Sequence, residues 1–513
     1  MPQPDEPSEG SSRVDPVTHS DPYRVAALWA LFGLIVVAGL TIWAWTPGMT
    51  ILGDEWRYAE WTATEGAIQR GFNPDVGKYA IPVPLVVYQG LFEVFGLDSY
   101  APYRVMALVL LATVTVLLFV LVRRRLGSLL ALPLTALVLF LGTSSEVVAT
   151  SLRSPALISL AASLGALLLL ERPGRLRDAW VPVLLLVAVA SHPGGLAFCA
   201  AAAIIVFGDE RGWRARFERS WIFAIPLVVF LVFLQPGADN REETVTLGER
   251  IAEAPGYLLE GVVGLVSHAL GVSTDNLLPL GDLGGVDSPI GWLFAIALSL
   301  GIVAAMILRK PFPTVLVAYA TCALLLIGGA LLAPGGTREP NLDRYVLPAT
   351  VMLIATFAEL VREPRWFQEW SSRRRRLVLS AGGALLAFAI ASNAATLELR
   401  AGRLSNAAIN LRAEALGRDL ARDLTPVSDA ALDKDELQKL VGRNRMPLLP
   451  SDYYSVSDEY GSPAFTLGEL ESDHPETRQI VQRVLEYVAT EPVPSQVLSD
   501  LTGTEPEPRS AAP

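Results

Sequence analysis

The chain has 513 residues, of which 51% are hydrophobic and only 18% are charged. Soluble domains carry about 25% charged residues, so we expect much of this surface to face lipid. The net charge is −11 and no basic footprint for nucleic acid is visible, which excludes nucleic acid as an expected partner. The only cysteines, Cys199 and Cys322, lie inside apolar runs, which excludes a disulfide framework and a cysteine-based metal site.

The N-terminal residues 1–22 are polar and rich in Pro, Ser, Asp and Glu, which predicts a disordered tail. The apolar run 25–45 is too long for a signal peptide core, so we interpret it as an uncleaved first span. A spanning helix needs about 20 apolar residues, and eleven segments are candidates. The candidate spans are 25–45, 104–122, 128–143, 155–170, 180–191, 195–207, 220–234, 290–308, 312–333, 345–361 and 377–396. The short pair 180–191 and 195–207 predicts either two thin helices or a re-entrant hairpin.

The distribution of Arg and Lys predicts the orientation in the membrane. Five basic loops fall on one side under this span list, which the positive-inside rule assigns to the cytoplasm. These basic loops are 123–125, 172–177, 211–219, 309–310 and 362–376. The N-terminus is then cytoplasmic, and the loops 46–103 and 235–289 are outside, the second with an amphipathic helix at 257–272.

The sequence therefore predicts an all-α polytopic membrane protein with about eleven transmembrane helices, at a cell membrane. We predict a transmembrane domain at 23–396 and an extracytoplasmic C-terminal region at 397–513 with a disordered end. In that region 397–424 has helical periodicity, and 467–489 is a second candidate helix.

The first outer loop carries an acidic pair, Asp54-Glu55, a few residues after the first span. A carboxylate at that depth is partly desolvated, which raises its pKa and its basicity. Such a group suits a general base that removes a proton from an acceptor hydroxyl. The alternative is that both are solvated loop acids, with Asp54 capping an amphipathic helix.

Three stretches, in this order, resemble motifs of a known family. Residues 54–60 read Asp-Glu-Trp-Arg-Tyr-Ala-Glu, 78–84 read Lys-Tyr-Ala-Ile-Pro-Val-Pro, and 344–348 read Arg-Tyr-Val-Leu-Pro. They resemble the GT-C superfamily of membrane glycosyltransferases, in the branch of protein O-mannosyltransferases and lipid A aminoarabinose transferases. The resemblance covers about 20–360. The chain departs from the pattern at 192–194, where His-Pro-Gly replaces a Lys-Gly element, and in the long loop 235–289.

The resemblance implies an inverting glycosyltransferase of the cell envelope. It would move a sugar from a polyprenyl-phosphate donor in the membrane lipid to a hydroxyl of a protein, glycan or lipid acceptor, with neither cofactor nor metal. Asp54 would be the general base, and Glu55 would orient the acceptor or the donor. The implied donor and phosphate-binding residues are Lys78, Tyr79, Arg104, His192, Arg344 and Tyr345.

Three of these residues also have a structural interpretation. Arg344 is equally well placed to be an interfacial snorkelling arginine, and Arg104 to pair with an acid of its own loop. His192 in its Pro-Gly-Gly break is more often a structural donor. Glu146 and Arg153 predict a salt bridge that faces the same cavity.

The rival function is that of a transporter or lipid flippase without enzymatic activity. Transporters place ionisable residues near the midplane of the bilayer. Here the predicted spans are nearly free of charge and the acids crowd one outer loop, which favours chemistry at the headgroup level.

Overall fold

The structure is a computed structural model that describes residues 23–72, 80–172, 174–208, 212–233, 247–272, 289–309, 312–329, 331, 343–361, 372–424, 448, 450–466, 469, 475–488 and 493. Within these ranges the chain is helical and contains no strand. In chain order the helices are α1 (Arg24–Trp45), α2 (Asp54–Thr64), α3 (Ala67–Phe72), α4 (Pro82–Phe95), α5 (Ala101–Leu126), α6 (Ser128–Leu139), α7 (Ser145–Ala149), α8 (Ser154–Leu170), α9 (Arg175–Val189), α10 (Gly195–Gly208), α11 (Trp213–Arg219), α12 (Trp221–Phe233), α13 (Leu247–Ala269), α14 (Pro289–Leu308), α15 (Thr314–Gly328), α16 (Asp343–Val361), α17 (Ser372–Leu424), α18 (Pro450–Tyr460) and α19 (Pro475–Val488).

Every predicted span overlaps one of these helices, which confirms the all-α fold and the approximate positions of the apolar segments. Five helices of the described chain are long and apolar enough to cross a membrane: α1, α5, α14, α16 and α17. A sixth candidate is the pair formed by α6 and 142–149, which is bent by 46°. The other predicted spans are shorter helices, such as α8 with 17 residues and α12 with 13.

The boundary between α5 and α6 follows directly from the sequence. Gly127 has φ +78°, a conformation that L side chains rarely adopt, and its N–H donates to the Arg123 carbonyl at 2.9 Å. A glycine in this position ends a helix and allows the chain to reverse. The preceding basic run 123–125 favours the same end, because cations are stabilised by the dipole of a helix C-terminus.

A buried charge cluster holds helix ends together on the predicted cytoplasmic side. Arg125 at the end of α5 donates to Glu171 after α8 and to Glu359 near the end of α16. The Arg125 side chain is only 4% exposed, and it also donates to the Tyr319 hydroxyl at 3.1 Å. Arg124 forms a second ion pair with Glu171 at 2.6 Å. The cluster fixes α5, α8, α15 and α16 at one end of the bundle.

The C-terminal region begins inside a helix that already forms the last apolar span. α17 has 53 residues and runs through position 397 without a break. Its second half packs against α19 through a core that includes Ala413, Leu416, Val481 and Leu485. The helix predicted within 467–489 is present as α19, and the amphipathic helix predicted at 257–272 is the second half of α13. The boundary between the two predicted domains stays a prediction.

Helix α2, which begins with the acidic pair, packs against the C-terminal region. Trp56 of α2 is fully buried, and its ring lies 5.7 Å from the ring of Tyr453 in α18. The Trp56 indole N–H donates to the Ile51 carbonyl at 3.1 Å. The Leu97 N–H, just after α4, donates to the Tyr460 carbonyl at 2.8 Å. One face of α2 is therefore covered, which leaves its other face for the cavity described next.

Candidate functional site

A cavity of about 1020 Å³ lies among the ends of several helices. Its charged and polar wall comes from the start of α2, the turn before α8, the turn between α9 and α10, α13 and the start of α16. Those side chains include Asp54, Arg57, Tyr58, Arg153, His192, Arg250, Arg344 and Tyr345. Apolar side chains of α8, α10, α12, α13 and α15 line the remainder, among them Leu160, Phe198, Phe230, Leu258 and Leu325. Among the described lining residues Asp54 is the only acid, beside four arginines.

Asp54 is the first residue of α2, and its side chain is 50% exposed. The preceding Gly53 has φ +50°, so the chain enters the helix through a conformation that favours glycine. A carboxylate in the first turn is stabilised by the helix dipole. Asp54 is therefore held at a helix start with its carboxylate turned to the cavity.

Arg153 joins Asp54 to a second acid. One guanidinium nitrogen of Arg153 lies 3.5 Å from the Asp54 carboxylate, and the other two donate to Glu146 at 3.0 and 3.1 Å. Burial lowers the pKa of Arg153, but the charges of Glu146 and Asp54 outweigh it and raise the pKa. The predicted pair of Glu146 and Arg153 is present, and its extension to Asp54 was not predicted.

Glu55, the other half of the acidic pair, does not reach the cavity. It is fully buried, and burial raises its pKa from 4.5 to about 7 against the opposing effect of its hydrogen bonds. Its carboxylate accepts from the Leu52 N–H at 2.8 Å, from the Tyr88 hydroxyl at 3.2 Å and from the Tyr100 hydroxyl at 3.0 Å, and also from the Ser151 hydroxyl. Contact of Glu55 with a donor or an acceptor, as the resemblance implies, does not fit this position.

His192 lines the cavity and also stabilises its own turn. The Gly194 N–H donates to His192 Nδ1 at 3.0 Å, so the histidine is an acceptor there and not the predicted donor. Burial, Arg344 and Arg153 lower the pKa of His192 to about 4, so the ring is neutral near pH 7. With Nδ1 accepting, the proton of the neutral ring is on Nε2.

Arg344 and Tyr345 both line the cavity at the start of α16. The Arg344 guanidinium carbon lies 5.1 Å from the centroid of the Tyr345 ring, a cation–π distance. Their position beside His192 and Arg153 agrees with a site for an anion.

Arg104 is placed elsewhere, and we remove it from the candidate site. Its guanidinium donates to the Trp43 carbonyl at 2.9 Å and to the Thr46 hydroxyl at 2.5 Å, and it lies 3.9 Å from the Trp43 ring centroid. Within the described residues it forms no ion pair, and the partners it has there are at the end of α1. Lys78 and Tyr79 lie outside the described residues.

Sequence reasoning missed Arg57, Tyr58 and Arg250 as cavity residues. Arg57 follows Asp54 by three positions, and residues with this spacing share a face of a helix, so the signal was available. Arg250 lies in α13, which belongs to the predicted outer loop 235–289. Its spacing in the sequence does not indicate which other cavity residues it lies near. No group of three potential metal ligands occurs in the part of the chain that is described.

No protein-family model matches the chain, and no curated protein matches it either. Among solved structures, the chain is similar to a crystal structure of ArnT from Cupriavidus metallidurans in the apo state, with 14% identity and a TM-score of 0.45 over 86% of this chain and 90% of that one. It is also similar to ArnT from the same organism bound to undecaprenyl phosphate, with 14% identity and a TM-score of 0.43 over 90% of each chain.

Proposed function

We propose that this chain is a membrane glycosyltransferase of the GT-C type that moves a sugar from a polyprenyl-phosphate donor to an acceptor hydroxyl. The observation that carries the proposal is the composition of one cavity. It combines an exposed carboxylate, Asp54, with four arginines and a long apolar wall. A phosphate joined to an isoprenoid needs cations at one part of its site and apolar surface at another.

The proposed chemistry uses Asp54 as the general base. Its carboxylate takes the proton of the acceptor hydroxyl while the oxygen attacks the anomeric carbon in line with the departing phosphate, so the configuration inverts. The phosphate leaves with its negative charge, which guanidinium groups such as those of Arg344 and Arg57 stabilise. Neutral His192 contributes a hydrogen bond from Nε2 without adding charge.

We propose that the cavity opens on the outer side of the cell membrane, with the N-terminus in the cytoplasm and 397–513 outside. Asp54, Arg153, His192 and Arg344 all lie at helix ends that the predicted topology assigns to the outer face. The ends that carry Arg125 and Arg309 are assigned to the cytoplasmic face. The acceptor is a protein, glycan or lipid of the cell envelope, and the proposed reaction uses no cofactor or metal.

The experiment compares the full chain in membranes with its Asp54→Asn variant, supplied with labelled polyprenyl-phosphate sugars. We expect Asp54→Asn to abolish transfer and to keep affinity for polyprenyl phosphate. Asp458→Asn is the matched control, because Asp458 is an exposed acid of α18 that pairs with Arg422 outside the cavity. Equal transfer by wild type and Asp54→Asn would remove Asp54 as the base.

The same membranes also test the rival function. A transporter or flippase would move the labelled lipid between leaflets without forming a glycosylated product. Transbilayer movement in the absence of any transfer would therefore contradict the enzymatic proposal.

A further inference from the structure

We infer that Glu55 is a positioning residue, which ties the start of α2 to the turn before α8 and so fixes the spacing of Asp54 and Arg153. This inference rests on the proposed function, because it assigns Glu55 a role in placing the proposed base. The resemblance implies instead that Glu55 orients the donor or the acceptor.

The position of Glu55 excludes a direct contact with a ligand in this cavity. Its side chain has no exposed surface, and it is absent from the cavity lining, whereas the neighbouring Asp54 is half exposed there. Successive residues of a helix point about 100° apart. The two acids therefore face different directions from the same helix start, Asp54 toward the cavity and Glu55 toward the protein interior.

The hydrogen bonds of Glu55 connect separate parts of the chain. Its carboxylate accepts from Leu52 before α2, from Tyr88 of α4, from Tyr100 before α5 and from Ser151 in the turn before α8. The same tyrosines contact that turn as well. The Tyr88 hydroxyl donates to the Ser151 carbonyl at 2.5 Å, and the Ser151 N–H donates to the Tyr100 hydroxyl at 3.0 Å.

These contacts close a ring around the proposed base. Asp54 is bonded along the chain to Glu55, Glu55 is hydrogen-bonded to Ser151, and Ser151 is two residues before Arg153. Arg153 returns to Asp54 at 3.5 Å. Loss of the Glu55 contact therefore removes the direct hydrogen bond between α2 and the turn, and the distance between the Asp54 carboxylate and the Arg153 guanidinium is less tightly fixed.

The stability of the folded protein alone does not explain why an acid occupies position 55. Burial of a carboxylate carries a desolvation cost, and the hydrogen-bond donors to Glu55 are neutral hydroxyls and a backbone N–H. The cost is reflected in the pKa of Glu55, which burial raises to about 7. An apolar side chain of similar volume would avoid this cost, but it could not accept hydrogen bonds from four segments at once.

The test measures kcat and the KM for the donor in three variants. Glu55→Gln keeps the size of the side chain but replaces one acceptor oxygen by a donor, and Ser151→Ala removes the hydroxyl that links Glu55 to the turn. Glu359→Gln is the matched control, since Glu359 is a buried acid in the Arg125 cluster at the other end of α16.

We expect Glu55→Gln to lower kcat by roughly 10- to 100-fold, the effect of a displacement of about 1 Å in a reacting group. The donor KM should stay within about twofold, and Ser151→Ala should lower kcat in the same direction by a smaller factor. Glu359→Gln should lower thermal stability without changing the kcat of the folded protein. If Glu55→Gln does not fold, Ser151→Ala decides the question.

Two results would overturn the inference. One is a wild-type kcat in the folded Glu55→Gln or Ser151→Ala variant while Asp54→Asn is inactive, which leaves the proposed function intact. The other is a raised donor KM with unchanged kcat, which would indicate that Glu55 binds the donor. Full activity in Asp54→Asn would instead remove the proposed base, and with it the role of Glu55.

Discussion

The buried carboxyl group of Glu55 predicts an unusual dependence of stability on pH. Burial raises its pKa from 4.5 to about 7 in the folded protein, while the unfolded chain keeps the ordinary value. Between these two pH values the folded protein holds the proton and the unfolded chain does not. The free energy of unfolding must therefore fall as the pH rises from about 4.5 to about 7, and this contribution is constant above that range.

The magnitude of this contribution is about 3 kcal/mol, because each pH unit between the two pKa values is worth about 1.4 kcal/mol. The Glu55→Gln variant has no carboxyl group to titrate at this position, so it lacks this contribution to the free energy of unfolding. Unfolding of both proteins in the same detergent should be followed by denaturant titration at pH 5 and pH 8. We expect the wild type to lose about 2.5 kcal/mol more than the variant over this interval, because part of the loss already occurs below pH 5. Comparison with the variant removes the effect of all other titrating groups.

The sign of the difference makes the result decisive. Parallel pH profiles would mean that the Glu55 pKa is the same in both states, which would contradict its burial. A wild type that gains stability relative to Glu55→Gln from pH 5 to pH 8 would mean a lowered pKa. That outcome would place a cation near the carboxylate and refute the arrangement of neutral donors.

Three further substitutions test the cavity and the bundle. Arg153→Gln removes the cation between Asp54 and Glu146, and we expect kcat in the transfer assay to fall roughly 10- to 100-fold. An unchanged kcat would show that this ion pair does not contribute to catalysis. Arg344→Lys keeps the charge but loses the planar guanidinium that can donate two parallel hydrogen bonds. The Kd for polyprenyl phosphate should therefore rise about tenfold, which is about 1.4 kcal/mol of binding free energy. Equal affinity would remove Arg344 from the phosphate site. Arg125→Met removes the buried cation that Glu171 and Glu359 share, which should cost about 3–5 kcal/mol of unfolding free energy while the kcat of the folded protein is unchanged. A wild-type unfolding curve would contradict the structural role of this cluster.

The helices could be predicted well from sequence because the apolar runs are long and are separated by recognisable signals. Gly127 and the basic run 123–125 mark the end of α5, and α17 contains no proline between 372 and 424. The lengths of the shorter helices were harder to predict. An apolar run such as 312–333 extends beyond its helix, which is Thr314–Gly328, because hydropathy does not register where the helix ends.

The candidate site was only partly predictable for geometric reasons. Asp54 and Glu55 are adjacent in sequence, and hydropathy and charge cannot decide which of two neighbouring acids faces a cavity. Arg153 is 99 positions from Asp54, so its ion pair depends on the packing of α8 against the first outer loop. Arg104 is one of the donor-binding residues that the resemblance implies, yet its guanidinium is bound by the backbone and aromatic ring at the end of α1.

The unbroken helix α17 has a mechanical consequence. At 1.5 Å per residue its 53 residues extend about 80 Å, whereas the hydrocarbon core of a bilayer is about 30 Å thick. A continuous helix transmits tilt and rotation along its length, as a hinged linker does not. A change in the angle of the last apolar segment is therefore carried to α18, because the Tyr453 hydroxyl donates to Asp419 of α17 at 2.8 Å, and the Tyr453 ring in turn packs on Trp56.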